Sequence, residues 1–233
     1  MQEVVWVGRF NVRADTGVPA PWRIVRFDED VPATEYRVRT WDGIQAVEAL
    51  ADASMALLAR PVMIDLERTP VLCWRWRVDG SVRSADMKRR SGDDYAARVY
   101  VAFELRPESM GFMTRMALRA ARKLYGESVP DAAINYVWDN RYPEGTALPN
   151  AYTDRTRMIV AETGDAKTHQ WVWEQRDVLS DFAEHFDLPD PQITSIAVAT
   201  DTDNTLAKAR AGFADIAFVP RGVDCASLIV DGA

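Results

Sequence analysis

Arginine, tyrosine and carboxylate side chains recur at alternate positions along several extended stretches of this 233-residue chain, and that spacing sets the chemistry open to it. Successive side chains of a strand point to opposite faces. Along Pro70–Asp79, Leu72, Trp74, Trp76 and Val78 share one face, and Arg75 and Arg77 the other. Along Asp94–Leu105, Tyr95, Ala97, Val99, Val101 and Phe103 read as inward, with Asp94, Arg98, Tyr100 and Glu104 opposite. Downstream, Asn135 opposes Tyr136 and Trp138, Arg157 opposes Met158 and Val160, and Glu174 and Arg176 oppose Trp171 and Trp173. If these strands are neighbours in one sheet, Arg75, Arg98, Asn135, Arg157, Glu174 and Arg176 line a concave surface flanked by Tyr100, Tyr136 and Trp138. Planar guanidinium forks suit bidentate recognition of carboxylate or phosphate. Such a surface fits a uronic-acid-containing or otherwise anionic glycan. The competing reading is a solvated face laced with cross-strand ion pairs.

Catalysis on the same face is the alternative to binding. A polysaccharide lyase needs arginine to neutralise charge and tyrosine to move a proton, roles open to Arg98, Arg157, Tyr100 and Tyr136. A glycoside hydrolase needs two carboxyl groups at a set distance in space. Asp93 with Asp94, Asp201 with Asp203, and Glu174 with Asp177 are pairs in sequence only, which leaves Glu174 and Asp177 beside the two tyrosines as catalytic candidates. The chain has only His169 and His185, and it has no Gly-x-Ser-x-Gly elbow, phosphate loop or dinucleotide fingerprint. Asp201, Asp203 and Asp215 are candidate ligands for a structural calcium ion, which prefers oxygen donors. Asp201-Thr-Asp203-Asn204 lacks the length and the glutamate of an EF-hand loop, and the ordinary reading of its aspartates is side-chain-to-backbone bonding in a turn.

The elements that must position these residues are short, β-branched and aromatic runs separated by Pro, Gly and Asp. They lie at Val4–Phe10, Trp22–Val25, Glu35–Trp41, Ile44–Leu50, Pro70–Asp79, Asp94–Leu105, Ala133–Asp139, Thr156–Glu162, Trp171–Arg176, Ile193–Asp201 and Phe213–Val219. Ile44–Leu50 also fits a helix. Many short strands with turn signals between them predict an all-β, antiparallel sandwich of jelly-roll type, one domain over 1–233. Two helices interrupt it. Ser109–Tyr125 sets Phe112, Met116, Leu118 and Leu124 among Arg115, Arg119, Arg122 and Lys123, an amphipathic basic helix suited to the sandwich edge, to a lid or to an anionic surface. Asp177–Phe186 is shorter. Asp79–Asp93 is an exposed loop. Of eight tryptophans, Trp74, Trp76, Trp171 and Trp173 read as core, and Trp22, Trp41 and Trp138 as the freer candidates for a ligand.

Composition narrows the classes. Lys and Arg number 28 against 35 Asp and Glu, a net charge of -7, which disfavours nucleic acid. No apolar run approaches the roughly 18 residues of a membrane span. The two cysteines, Cys73 and Cys225, exclude a zinc cluster or a disulfide framework. Cys73 reads as a buried thiol, with a bridge to Cys225 open only in an oxidising compartment. Met1–Phe10 shows no basic segment followed by an apolar one, so either the protein is cytoplasmic or a signal peptide is absent from this sequence.

Several segments together resemble a bacterial family known as domain of unknown function 3047. They are Pro70–Asp79 (PVLCWRWRVD), Gly92–Val101 (GDDYAARVYV), Ile134–Trp138 (INYVW), Trp171–Asp177 (WVWEQRD), Asp181-Phe182 and Ile196–Thr205 (IAVATDTDNT). Leu206 stands where the family pattern has glycine. The resemblance implies a bacterial protein exported to the periplasm or beyond, and it implies no activity. Phe213-Ala-Asp-Ile216 is also similar to the closing strand of carbohydrate-binding jelly rolls, a likeness of fold only. Together these readings predict an exported protein that holds an anionic glycan or cell-envelope polymer through Arg75, Arg98, Tyr100, Asn135, Trp138, Arg157, Glu174 and Arg176.

Overall fold

A computed structural model describes residues 3–11, 17–125 and 129–229; Met1 lies outside them, as do the side chains of Leu124 and Tyr125. In chain order the strands are β1 (Val5–Gly8), β2 (Arg23–Val25), β3 (Glu35–Trp41), β4 (Ile44–Asp52), β5 (Leu57–Ile64), β6 (Val71–Val78) and β7 (Tyr95–Glu104). Helix α1 (Phe112–Tyr125) follows, then β8 (Ala132–Asp139), β9 (Ala147–Pro149), β10 (Thr156–Thr163), β11 (Val172–Asp177), α2 (Val178–His185), β12 (Gln192–Asp201) and β13 (Lys208–Val219). They form two sheets packed face to face, the expected β-sandwich. Sheet A runs β11-β6-β13-β4-β3, with β1 on the far half of β13; sheet B runs β2-β5-β12-β7-β8-β10-β9. All pairs are antiparallel except β8 with β10, whose crossover carries β9.

Local chemistry explains the elements. Ile44–Leu50 is a strand because Asp42-Gly43, with φ of 50° and 76°, closes a two-residue hairpin onto β3. β5 escaped the sequence reading because Pro61 interrupts its apolar run. Its neighbour β2 pairs only as far as Ala59, so Pro61 lies on an open edge where no N–H is needed. The core is aromatic. Trp74 stacks on Tyr136 at 5.3 Å, Trp76 meets Trp138 at 5.7 Å, and Phe103 meets Phe182 at 4.7 Å. Each side chain of this size buried from water contributes roughly 1.5–3 kcal/mol.

Several expectations change here. Tyr95 does not point inward with Val99: Arg98 pairs with Ala199 but Tyr95 with Asp201, so a bulge at Ala96-Ala97 turns Tyr95 onto the outer face beside Arg98. Cys73 is not a free thiol but is bridged to Cys225, with Cα atoms 5.5 Å apart. The freer tryptophans are reversed. Trp22, Trp41 and Trp138 are buried, whereas Trp171 and Trp173, on edge strand β11 and the turn before it, are half-buried. No helix among the described residues is long and apolar enough to cross a membrane.

Candidate functional site

The outer face of sheet A carries a dense cluster of arginine and tryptophan. Alternation places Arg37, Arg39 and Trp41 of β3, Glu48 of β4, Arg210 and Gly212 of β13, Arg75 and Arg77 of β6, and Trp173 of β11 on this one side. Glu48 is fully buried and gathers three guanidinium groups: Arg37, Arg39 at 3.0 Å and Arg210 at 2.8 Å. Burial opposes ionisation of Glu48, but the bonds from Arg37 and Arg210 outweigh it and hold its carboxyl below the ordinary value. The guanidinium groups of Arg210, Arg77 and Arg39 lie 4.1, 4.2 and 5.3 Å from the Trp41 ring centre, in cation–π range. Trp171 meets the same ring edge-on at 6.1 Å and donates its indole N–H to the Trp41 carbonyl. Gly212 permits this: a Cβ there would stand 2.8 Å from Trp171 and 3.1 Å from Trp41, so both indoles rest on bare backbone. Beside Arg210 a depression of about 510 Å³ opens, lined by Glu35, Leu50, Asp52, Asp79 and Lys208. At the other end of the face Arg75 bonds Asp215 at 2.6 Å and lies over Trp173.

The outer face of sheet B is different: a polar network sealed from solvent. Arg98 is 3% exposed, donates to Asp201 at 2.7 Å and to the Tyr100 hydroxyl at 2.9 Å, reaches the Asp93 carbonyl, and lies over the Tyr95 ring. Burial pushes the Tyr100 phenol up to about 12, against the pull of Arg98. Asp94 of the segment before β7, and not an aspartate of the turn itself, accepts from the backbone N–H groups of Asn204 and Thr205. Carboxylate oxygens of Asp94, Asp201 and Asp203 lie within 4.8 Å of one another, a spacing that suits a calcium ion with oxygens at 2.3–2.6 Å. Asp215 is not among them. It has φ of 48° at a bulge in β13, which turns it to Arg75 on the other sheet. Burial raises the carboxyl groups of Asp93 and Asp203, and Asp94 adds to both. Buried oxygens of Asp93, Tyr95, Asn135 and Asp203 have no hydrogen-bond partner.

The remaining predicted residues lie elsewhere. Tyr136 and Trp138 point into the core, the first donating to Asp181 at 2.6 Å and the second to the Gly164 carbonyl at 2.9 Å. Glu174 and Arg176 are on the inner side of edge strand β11, because their partners there are Trp74 and Leu72. Arg176 holds Asp181 at 2.5 Å, and Glu174 accepts from the Trp76 indole at 3.1 Å. Burial pushes the Glu174 carboxyl up to about 8. Arg157 lies on the inner side of β10, over Phe186. Asp177 caps α2 through the Ser180 N–H at 2.9 Å and pairs with Arg221. The single concave surface expected from alternation therefore does not form. Arg98, Tyr100 and Asn135 share the outer side of sheet B, Arg75 is on the outer side of sheet A, and the others are internal. Of the residues that build the sheet A cluster, Trp41 is among the sequence candidates for ligand contact, whereas Arg37, Arg39, Glu48 and Arg210 lie outside the predicted set. Their signal was present: Arg37, Arg39 and Trp41 alternate along β3.

A family model described as "Protein of unknown function (DUF3047)" matches residues 20–217. The chain belongs to this family. Within this DUF3047 chain the match takes in both outer faces, and it includes Leu206, whose φ of 55° is the left-handed geometry that favours glycine. No curated protein matches. Among solved structures, the chain is similar to a family 30 carbohydrate-binding module of a cellulosomal cellulase of Clostridium thermocellum (10% identity, 95% of each chain covered, TM-score 0.34). It is also similar to the xyloglucanase domain of NopAA, a type three effector from Sinorhizobium fredii (7% identity, 89% of this chain and 100% of that one, TM-score 0.42). A third is endoglucanase 3 of Trichoderma harzianum, from family GH12 (8% identity, 86% and 97% covered, TM-score 0.35).

Proposed function

We propose that this protein binds a glycan or cell-envelope polymer carrying acid groups along the outer face of sheet A. The observation that carries the reading is the arrangement around Trp41: three guanidinium groups and a second indole gathered on one sheet face, beside an open depression. Sugars are held by apolar ring contact together with planar hydrogen-bonding groups, and fixed guanidinium forks add selectivity for carboxylate. Because Glu48, Asp42 and Asp79 already neutralise much of the charge, a weakly charged polymer fits better than a dense polyanion. The bridged Cys73 and Cys225 support an oxidising compartment, periplasmic or extracellular. A screen of neutral and acidic polysaccharides against wild type and Trp171→Ala tests the reading: binding of an acidic polymer that weakens at least tenfold in the variant is expected, and equal binding in both refutes it.

Calcium at Asp94, Asp201 and Asp203 belongs to the same proposal as a structural ion, because four carboxylates (these with Asp93) face one guanidinium there. Calcium is expected to raise the melting temperature at pH 7 and to do so less as pH falls, because protons compete with the ion for carboxylates and burial already raises that of Asp203. An unchanged melting temperature after chelation and calcium addition removes the ion from the account.

A second reading, cleavage of a polymer, requires the substrate to reach Glu174 from the open edge of β11 and not from the outer face, and draws on its carboxyl, which burial pushes up to about 8. A carboxyl raised by burial in this way suits a general acid. Reducing-end release lost in Glu174→Gln would establish it; its absence from wild type with every bound polymer would end it.

A further inference from the structure

Among its described residues, helix α1 meets the sandwich along one narrow side. Among the described side chains, only Thr114, Leu118 and Arg122, four residues apart in turn, face the body. Leu118 is 6% exposed, and Arg122 ties the helix down through Asp131 and the Val129 carbonyl, each at 3.0 Å. The opposite side is apolar and open: Phe112 is 67% exposed, Met113 77% and Met116 46%. At 100° per residue these three span about 100° of the helix surface. Exposed Arg115 and Arg119 flank that arc on the Phe112 side, and exposed Lys123 continues the arc itself toward the C-terminal end of the helix.

Three exposed large apolar side chains on one helix are costly in water and mark a contact surface. Charge decides what the contact is. The chain as a whole carries -7, yet the 14 residues of α1 hold four cations and no acid. A second copy of this acidic chain would gain little from that stripe, whereas an anionic lipid surface complements both features. It takes up Phe and Met at the level of the acyl boundary and neutralises the cations at the headgroups, with the long basic side chains reaching outward. We propose that α1 lies in the surface of an anionic bilayer and holds the sandwich against it by Phe112, Met113 and Met116, with Arg115, Arg119 and Lys123 on the lipid headgroups. Thr114, Leu118 and Arg122 remain the hinge side, facing the protein. This inference is independent of the glycan-binding reading.

The test is flotation of the whole chain with vesicles of phosphatidylcholine alone and of phosphatidylcholine with phosphatidylglycerol. Wild type is expected to float with the anionic vesicles, less so as salt rises, and to stay unbound with the neutral ones. Phe112→Ser/Met113→Ser/Met116→Ser should abolish flotation. Arg115→Gln/Arg119→Gln/Lys123→Gln should weaken it about fivefold per cation removed, roughly 100-fold in all. All six side chains are exposed, so both variants should melt as wild type does, and that melt is the folding control. Failure of wild type to float with anionic vesicles, or undiminished flotation of either folded variant, overturns the proposal. A dimer that the apolar variant dissolves, with no vesicle binding, also overturns it and assigns the helix to a second copy.

Discussion

Both outer faces of the sandwich carry arginine, but sheet A leaves several guanidinium groups open to solvent where sheet B seals Arg98. On sheet A, Arg37, Arg39 and Arg210 have side chains 60, 37 and 34% exposed, grouped over a buried Glu48, while Arg75 and Arg77 beside them are 12 and 7% exposed. On sheet B a single guanidinium, Arg98, is sealed among Asp93, Asp201, Tyr95 and Tyr100, and oxygens around it have no partner. A solvated guanidinium can exchange its partners for a ligand at little cost. A sealed one is committed to its carboxylate, since removing either partner leaves a buried charge. Arginine on a sheet face therefore does not by itself mark a binding face; accessibility decides between recognition and architecture.

Substitution should separate the faces sharply. Arg98→Met leaves Asp201 buried and unpaired and is expected to destabilise the fold by about 3–5 kcal/mol. Arg39→Ala, at a partly solvated ion pair, should cost no more than about 1 kcal/mol. Equal losses in chemical denaturation would erase the distinction. Gly212→Ala addresses sheet A from beneath. The added methyl must displace Trp171 or Trp41, so a loss of about 1–3 kcal/mol is expected, with a change in tryptophan fluorescence. An unchanged emission spectrum would show that the two indoles do not rest on that backbone. The smallest effect belongs to the turn beside the sheet B network. Leu206→Gly relieves a left-handed backbone and should stabilise the protein by up to about 1 kcal/mol in thermal or urea unfolding. A loss would mean that the leucine side chain matters more than its strain.

The fold was legible because period-two alternation is strong wherever one face packs on aromatic residues, as in Leu72, Trp74, Trp76 and Val78 of β6. The candidate site was not, for three physical reasons. Alternation assigns a side chain to one of two faces but says nothing about which strands are neighbours. β6 and β7, read as one surface, belong to different sheets, so Arg75 and Arg98 point away from each other across the whole sandwich. Bulges also break the period: that at Ala96-Ala97 turns Tyr95 outward, and that at Asp215 turns it to Arg75 on the outer face of sheet A, a different sheet from Asp201. Edge strands added a third difficulty. β11 has one neighbour in its sheet, which leaves Trp173 half-buried where a central strand would have covered it. Asp94, by contrast, was visible as an outward residue next to Asp93. Only the approach of the 203–205 turn reveals it as the third carboxylate beside Asp201.

The most direct test of glycan binding on sheet A is calorimetric titration of an acidic polysaccharide into wild type, Arg210→Ala and Tyr152→Ala. Arg210 stands between Trp41 and the depression, while Tyr152 is an exposed aromatic beside the sheet B network. Binding weakened at least tenfold by Arg210→Ala and unchanged by Tyr152→Ala is the expected result. Binding lost in Tyr152→Ala and retained in Arg210→Ala would place the ligand on the other sheet and contradict the account.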